Sequence, residues 1–234
     1  MTLLETTQRS ISRIREKSDA AILFCSFGKD SLVLLDLMYP HFKRLVLVFM
    51  YFVPGLDHIE RYVRWAESRY PGIIIDQVPH WTLTRIMRHG LFCTPRPDVK
   101  LLSLADINEN MRLKHGIQYS FFGMKKADSL NRRLMLGRYG EDYENKGNVY
   151  PLADWTQKDI MSYMRMRQLP EPVRYSKNAS GGLGFNLDCY LWMRRNAPQD
   201  LERVLQAFPM SGKILFDYDH RRTQQSDERR VTTT

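Results

Sequence analysis

A short polar loop follows the first strongly apolar run of the chain. It reads Ser26-Phe27-Gly28-Lys29-Asp30-Ser31 and comes directly after Ala21–Cys25. Two hydroxyls and one ammonium group can donate hydrogen bonds to an anion, and the glycine lets backbone approach it closely. If a helix begins here, its first amide N–H groups and its dipole also attract anions. The residue types and their spacing therefore favour a phosphate-binding loop.

Two common phosphate loops do not match this segment. A Walker A loop needs glycine at position 23 and serine or threonine at position 30, where the chain has Leu23 and Asp30. A Rossmann fingerprint needs three spaced glycines, and only Gly28 is present. A plain strand–helix turn capped by serine or aspartate is the alternative to a phosphate site.

A second group of polar residues follows the apolar run Tyr119–Gly123. Its basic members are Lys125, Lys126, Arg132 and Arg133. At the carboxyl end of a strand, such a cluster is placed to neutralise a polyphosphate. A solvated basic helix face is the alternative.

Short apolar runs alternate with helical patterns over the first 140 residues, which predicts an α/β fold with a doubly wound, mostly parallel sheet. The predicted strands are Ala21–Cys25, Leu45–Phe52, Ile73–Val78 and Tyr119–Gly123. The predicted helices are Asp30–Tyr39, Asp57–Arg69, Leu83–His89, Leu104–His115 and Ala127–Gly137. In such a sheet, ligands bind at the carboxyl ends of strands beside a topological switch point, where the polar loop falls.

The sequence changes character after Gly147. A helix is predicted from about 157 to 168, with Asp154 or Thr156 as its cap, and further helices around 187–195 and 198–208. We therefore predict a nucleotide-binding α/β domain over 1–147 and a small helical C-terminal subdomain over 148–217. The basic residues from 218 to 234 are predicted to form a disordered tail.

Composition limits the class of protein. The net charge is +9, which favours anionic partners such as nucleotides, nucleic acid or acidic proteins. No apolar run is long enough to span a bilayer and the start is polar, so we expect a cytoplasmic protein without membrane association. The three cysteines form no CxxC pair, so neither a disulfide framework nor an iron–sulfur cluster is expected.

Three segments together resemble one superfamily. The loop Ser26–Ser31 is similar to the SGGKDS loop of PP-loop ATP pyrophosphatases, with Phe27 in place of the first glycine. Gly123–Arg133 is similar to the motif G-x-R-x-x-E/D-S-x-x-R, and Val149–Thr156 to a YPL-x-DWT segment. In this order they resemble the phosphoadenosine phosphosulfate (PAPS) reductase superfamily, which implies an adenine nucleotide alpha-hydrolase-like (HUP) fold.

The resemblance implies roles for the matched residues. The residues implied to hold the nucleotide's phosphates are Ser26, Phe27, Gly28, Lys29, Asp30 and Ser31. Those matching the stretch whose backbone lies near the adenosine are Phe52, Val53, Pro54 and Gly55. Those implied to meet phosphate or sulfate from the opposite side are Gly123, Lys125, Ser129, Arg132 and Arg133. The implied catalytic residues are Lys29, Asp30 and Arg132, and Asp30 is also a candidate for arranging a Mg²⁺ ion around the phosphates.

Three functions remain open at this point. The first is adenylyl transfer, in which ATP or a related nucleotide with Mg²⁺ is cleaved at the α-phosphate and pyrophosphate leaves. The second is reduction of adenosine 5′-phosphosulfate (APS) or PAPS through Cys189, although Asp188-Cys189-Tyr190 lacks the ECG-type motif of true reductases. The third is a nucleotide-sensing or DNA-associated module that uses the basic surface and tail to bind nucleic acid or protein. The superfamily also implies, by analogy, a homodimer.

Overall fold

The computed structural model describes residues 2–140, 143–176 and 183–231, with the side chains of 222, 223 and 225–231 left aside. The chain divides into two compact units. The first unit comprises Met1–Tyr51, Tyr62–Val78 and Ser103–Val173, and the second comprises Phe52–Arg61, Pro79–Leu102 and Arg174–Thr234.

A six-stranded sheet has the order β3-β2-β1-β4-β6-β5. The strands are β1 Ala20–Phe24, β2 Arg44–Tyr51, β3 Ile74–Pro79, β4 Ser120–Phe122, β5 Glu144–Asn145 and β6 Asn148–Val149. Strand β1 pairs in parallel with both β2 and β4, β4 pairs in parallel with β6, and only the β5–β6 pairing among those resolved is antiparallel. The predicted α/β fold with a mostly parallel sheet is confirmed.

The direction of winding changes between β1 and β4. From β1 the chain moves to β2 on one side, whereas β4 lies on the other side of β1. Ile22 is in register with Val46 on one neighbour and with Ser120 on the other. The carboxyl ends of β1 and β4 therefore form a topological switch point, where open α/β sheets bind ligands.

The described part of the chain contains ten α-helices. They are α1 Leu3–Lys17, α2 Lys29–Met38, α3 Asp57–Arg69, α4 Thr82–His89, α5 Leu104–His115, α6 Leu130–Leu136, α7 Gln157–Arg167, α8 Leu187–Asn196, α9 Pro198–Ala207 and α10 Lys213–Val231. Two 3₁₀ turns cover Lys126–Asp128 and Pro209–Gly212. None of the described helices combines the length and the apolar character that crossing a membrane requires.

Capping chemistry explains where several helices begin. Thr156 accepts a hydrogen bond from the amide of Asp159, whose carboxylate accepts one from the amide of Thr156, so α7 begins with a capping box. Thr156, and not Asp154, is therefore the cap that the sequence left open. The predicted helix 127–137 is interrupted because Ser129 is extended and caps α6 through its hydroxyl.

Two other regions differ from the predicted organisation. Residues 148–173 group with the first unit instead of a separate subdomain beginning at 148, because β6 completes the sheet beside β4. The backbone over Lys213–Val231 is helical where a disordered tail was predicted from 218. Lys213 pairs with Asp217 one turn later at 2.8 Å, which supports the start of this helix.

The buried carboxylate of Asp36 anchors α2 to neighbouring elements of the first unit through hydrogen bonds. Asp36 Oδ1 accepts a hydrogen bond from the Tyr70 hydroxyl at 2.9 Å. Its Oδ2 accepts one from the Tyr163 hydroxyl and one from Arg167 Nε, both at 2.8 Å. Burial alone would raise the pKa of Asp36, but these donors hold it below its ordinary value. The C-terminal half of α2 is thus held from α7 and from the residue that follows α3.

A similar network lies inside the second unit. Asp200 accepts hydrogen bonds from the amides of Asp57 and His58, both at 2.9 Å, and so caps the start of α3 from α9. His58 Nδ1 lies 2.6 Å from Asp200 Oδ2, and its Nε2 lies 2.8 Å from the Tyr175 hydroxyl. Burial lowers the pKa of His58 although Asp200 acts in the opposite sense. These buried polar groups satisfy one another, which is the structural role expected of such a network.

Candidate functional site

The predicted phosphate loop lies between β1 and α2, at the switch point. Gly28 is the N-cap residue of α2 and has no side chain to cap the first amides of the helix. These amides have no partners within the helix and carry its positive dipole end. The loop can therefore offer backbone donors to an anion.

Phe27 explains how the loop keeps its shape without the first glycine of the resembled motif. Its φ is +54°, a left-handed conformation that costs a residue other than glycine roughly 1–2 kcal/mol. The ring is only 3% exposed and contacts Phe49 and Tyr62, with centroid distances of 5.4 and 6.4 Å. Burial of the aromatic ring offsets the backbone strain.

The two serines of the loop differ in their surroundings. The Ser31 hydroxyl is buried and donates to the Gly28 carbonyl at 3.0 Å, so it stabilises the turn itself. Ser26 is exposed, and its Oγ lies 3.4 Å from the Gly28 amide. Ser26 is thus the loop hydroxyl that is open to solvent.

Strand β4 brings Gly123 against the first turn of α2. A Cβ atom at Gly123 would lie 3.2 Å from the carbonyl carbon of Asp30 and 3.3 Å from the amide of Ser31. Two loops can approach this closely only because position 123 has no side chain. This contact brings the loop Ser26–Ser31 together with the basic segment Gly123–Arg133.

Lys125 is a buried cation at the same place. Its side chain is 2% exposed, and Nζ lies 2.6 Å from Asp30 Oδ1 and 2.8 Å from Asp128 Oδ1. An ammonium group has three N–H donors, and these two carboxylates engage two of them. The switch point therefore holds a buried ammonium group with donor capacity left over.

Asp128 links this cation to α6. Burial alone would raise the pKa of Asp128, but Lys125 and Arg132 hold it below its ordinary value. Arg132 donates to Asp128 Oδ2 at 2.5 Å, and the Ser129 hydroxyl accepts the Arg132 amide at 3.2 Å. Arg133 is exposed. Ser129 thus caps α6 and Arg132 holds Asp128 in place beside Lys125, whereas Arg133 faces solvent.

A second cluster joins the basic motif to the YPL-x-DWT segment. Lys126 Nζ donates to Asp154 Oδ1 at 2.8 Å and to the Tyr143 hydroxyl at 2.5 Å, and that hydroxyl donates to Asp154 Oδ2 at 2.5 Å. The hydrogen bond with Asp154 raises the pKa of Lys126. Tyr143 could not be found from the sequence, because its partners lie 17 and 11 residues away along the chain.

The predicted adenosine-side residues Phe52, Val53, Pro54 and Gly55 all belong to the second unit. Within that unit, Val53 is 7% exposed and Gly55 has a φ of +68°. The Gly55 carbonyl accepts a hydrogen bond from Arg203 at 2.5 Å. Arg203 therefore fixes the backbone at the end of this segment.

The chemistry available to the cysteines is limited by burial. Cys25 is 1% exposed, and burial raises the pKa of its thiol to about 11. Cys189 is also 1% exposed, and burial raises its thiol pKa as well. Cys93 is partly exposed and its Sγ lies 3.8 Å from the Ile86 carbonyl. In this arrangement neither Cys25 nor Cys189 is prepared as a thiolate.

Asp30 does not fit the metal role considered from the sequence. Its Oδ1 faces Lys125 and its Oδ2 lies 3.1 Å from Lys29 Nζ, so ammonium groups occupy both oxygens. Among the described residues, no group of three His, Cys, Asp or Glu side chains is arranged to hold a metal.

The close contact at Gly123 leads to a prediction. Gly123→Ala should weaken adenine nucleotide binding about tenfold, because the new methyl group must displace backbone of the first turn of α2. Isothermal titration calorimetry measures the change. Gly212→Ala is the matched control, since its Cβ would lie 3.6 Å from Leu205 Cδ2, an ordinary contact. Equal affinity of Gly123→Ala and the wild type would show that this approach does not shape the site.

Comparison with known proteins decides the family. The family model described as phosphoadenosine phosphosulfate reductase domain matches residues 20–178. This chain belongs to the phosphoadenosine phosphosulfate reductase family. The match includes all three motifs and every strand of the sheet.

Two curated relatives are each similar to about two thirds of the chain or more. Adenosine 5′-phosphosulfate reductase of Geobacillus thermodenitrificans (strain NG80-2) is 28% identical over 167 residues, 70% of each chain. Adenosine 5′-phosphosulfate reductase 2 of Bacillus subtilis (strain 168) is 24% identical over 168 residues, 67% of each. Among solved structures, NH₃-dependent NAD synthetase from Campylobacter jejuni subsp. jejuni NCTC 11168 is 14% identical with a TM-score of 0.49, covering 93% of this chain and 94% of that one.

Proposed function

We propose that the chain binds a sulfonucleotide, APS or PAPS, through an anion site formed by loop 26–31, Gly123 and Lys125. The observation that carries this proposal is the buried Lys125 ammonium group beside the uncapped N-terminus of α2. An anion placed there would accept hydrogen bonds from the amides and from Lys125, which has donor capacity left over. Lys29 adds a second positive charge at the loop.

The proposed reaction is thiol-dependent reduction of the sulfonucleotide. A thiolate attacks the sulfate sulfur and the bond between sulfur and the phosphate oxygen breaks. AMP leaves when the substrate is APS, and 3′-phosphoadenosine 5′-phosphate leaves when it is PAPS. The first thiol's sulfur now carries the sulfite group. A second thiolate attacks that thiol sulfur, so a disulfide forms and sulfite is released. The relatives named adenosine 5′-phosphosulfate reductase support this substrate class. The anion site would stabilise negative charge on the departing phosphate, which is its contribution to rate.

The attacking thiol could be Cys189 or an external dithiol, and substitution of Cys189 distinguishes the two. Because Cys189 is buried and its thiol pKa is raised, we expect an external dithiol to supply both sulfurs. The variant Cys189→Ser should then keep at least about half of the wild-type sulfite release, since it exchanges one buried sulfur for an oxygen and leaves the side chain's shape nearly unchanged. Loss of all thiol-dependent sulfite release, with the fold and APS affinity retained, would assign Cys189 as the nucleophile.

The burial of Cys25 and Cys189 favours a second candidate function. In adenylyl transfer, an acceptor oxygen attacks the α-phosphate of ATP, AMP becomes attached to it and pyrophosphate leaves. This reaction needs no thiol, and it uses the same loop amides, Lys29 and Lys125. The sequence Lys29-Asp30-Ser31 is the feature that suggested ATP.

One experiment separates these candidates. The purified chain is incubated with APS, PAPS or ATP in the presence of a dithiol, and AMP, sulfite and pyrophosphate are quantified. The expected result is sulfite in an amount equal to that of the nucleotide product, which is AMP from APS and 3′-phosphoadenosine 5′-phosphate from PAPS. Pyrophosphate release from ATP, without sulfite from either sulfonucleotide, would replace reduction by adenylyl transfer. Tight binding without turnover of any of the three would identify a non-catalytic nucleotide-sensing module.

A further inference from the structure

Planar side chains form a stack at the start of α4, within the second unit. The Phe52 ring stacks on His80 with centroids 4.7 Å apart and planes 16° apart. His80 stacks in turn on Trp81 with centroids 5.6 Å apart and planes 28° apart. The guanidinium carbon of Arg85 lies over the Trp81 ring, 5.6 Å from its centroid. Trp81 is partly exposed and Arg85 is exposed, so the stack ends at the surface.

The same helix presents a basic face. Trp81, Arg85 and Arg88 are spaced by four and three residues, which places them on one side of α4. Leu83 and Ile86 are buried on the other side. Arg85 and Arg88 are both exposed, so their charges face solvent.

The segment that follows adds further positive charge beside α4. The Arg96 amide donates to the Met87 carbonyl at 2.8 Å, and the Leu102 amide donates to Thr84 Oγ1 at 3.1 Å. Residues 96–102 therefore run back along the helix from its C-terminal to its N-terminal end. This segment carries Arg96 and Lys100.

Charge in this region is almost entirely positive. Residues 82–102 contain four basic side chains, Arg85, Arg88, Arg96 and Lys100, and a single carboxylate, Asp98. Asp98 lies at 4.0 Å from Arg96, with both side chains largely exposed. We call Trp81, Arg85, Arg88, Arg96 and Lys100 the α4 face.

We propose that the α4 face binds single-stranded nucleic acid. A single strand offers a chain of phosphates for the four cations and unstacked bases for the aromatic surface. In a duplex the base faces are covered by their neighbours, and an acidic peptide has no planar group to extend the stack. One base would stack on Trp81 beside the Arg85 guanidinium, and Arg88, Arg96 and Lys100 would contact phosphates. None of these residues belongs to the anion site, so this activity is independent of the nucleotide that the site takes.

Fluorescence anisotropy of the full chain with a labelled mixed-sequence DNA strand tests this proposal. The strand has about 20 nucleotides, and salt is varied from about 50 to about 200 mM. The double variant Arg85→Gln, Arg88→Gln should bind at least about tenfold more weakly. It should also lower the slope of log affinity against log salt by about 1.4, since each phosphate contact contributes about 0.7 for single strands.

Stacking is tested separately from charge. Trp81→Ala should weaken binding about tenfold and leave the salt slope unchanged, because it removes no charge. Trp81→Phe should restore most of the affinity, which also shows that loss in the alanine variant does not come from misfolding. The charge-matched control is Arg9→Gln with Arg64→Gln, two exposed arginines of the first unit, which should change affinity less than about twofold.

Three results would overturn the proposal. The first is no binding of the wild type at the lowest salt concentration. The second is an equal loss of affinity in the control double variant, which would reflect net charge alone. The third is full affinity of Trp81→Ala together with complete competition by polyglutamate, which would make the α4 face a site for acidic chains.

Discussion

Lys125→Met should lower the affinity for APS by about 100-fold or more. The side chain of Lys125 is the buried cation of the anion site, and its ammonium group faces Asp30 and Asp128 at 2.6 and 2.8 Å. Without it, two carboxylates face the position where the sulfate or phosphate of the nucleotide would bind. Losing one partner of a buried charge pair typically costs 2–5 kcal/mol of binding free energy, about 30-fold to several thousandfold. Isothermal titration calorimetry with APS, and separately with ATP, measures the change.

Lys126→Met is the matched control for this variant. It removes the same charge one residue away, but the Lys126 side chain is directed to Asp154 and Tyr143. We expect its affinity for APS to fall less than about threefold, the effect of a partly exposed ion pair. Lys125→Arg keeps the charge and should retain most of the affinity. Similar losses in both methionine variants would contradict a specific role of Lys125.

Asp36→Asn should destabilise the first unit by about 3 kcal/mol. The Asp36 carboxylate accepts hydrogen bonds from Tyr70, Tyr163 and Arg167, and its side chain is 2% exposed. An amide in its place turns an NH₂ group toward at least one donor, which leaves buried groups unsatisfied and removes the charge that strengthens each bond. For a chain of this size the melting temperature should fall by roughly 6–12 °C. Thermal unfolding followed by circular dichroism measures it.

The effect of Asp36 depends on pH in a defined direction. Its pKa in the folded state is lowered, so its stabilising contribution is present above the ordinary carboxyl pKa of about 4 and is lost as the pH falls further. The difference in unfolding free energy between wild type and Asp36→Asn should therefore shrink below about pH 4. Tyr163→Phe removes one donor and should cost only about 1 kcal/mol. A constant difference from pH 7 down to pH 3 would show that the charge of Asp36 does not contribute.

Much of the fold could be predicted because local sequence patterns determine where its strands and helices begin and end. The apolar runs of β1 and β2 and the helices α2, α3 and α5 follow from hydrophobic periodicity and capping residues. The loop at 26–31 was placed correctly at a strand–helix junction for the same reason. Helix α1 was missed because its buried face combines only two apolar residues, Ile11 and Ile14, with the polar residues Thr7 and Ser10.

The candidate site was predictable only in part. The motifs named Lys125, but its burial between Asp30 and Asp128 depends on β4 lying beside β1, a contact that no local pattern encodes. The same holds for Tyr143 with Asp154, and for the ring contacts that let Phe27 replace a glycine. The contact of each site residue with a nucleotide stays a prediction.

A crystal structure of the chain soaked with APS shows whether the nucleotide binds at the switch point between β1 and β4. We predict that the sulfate or the α-phosphate lies within hydrogen-bond reach of the first amides of α2 and of Lys125 Nζ, close to Gly123. Ordered APS bound at another place, with the N-terminus of α2 and Lys125 untouched, would contradict this account.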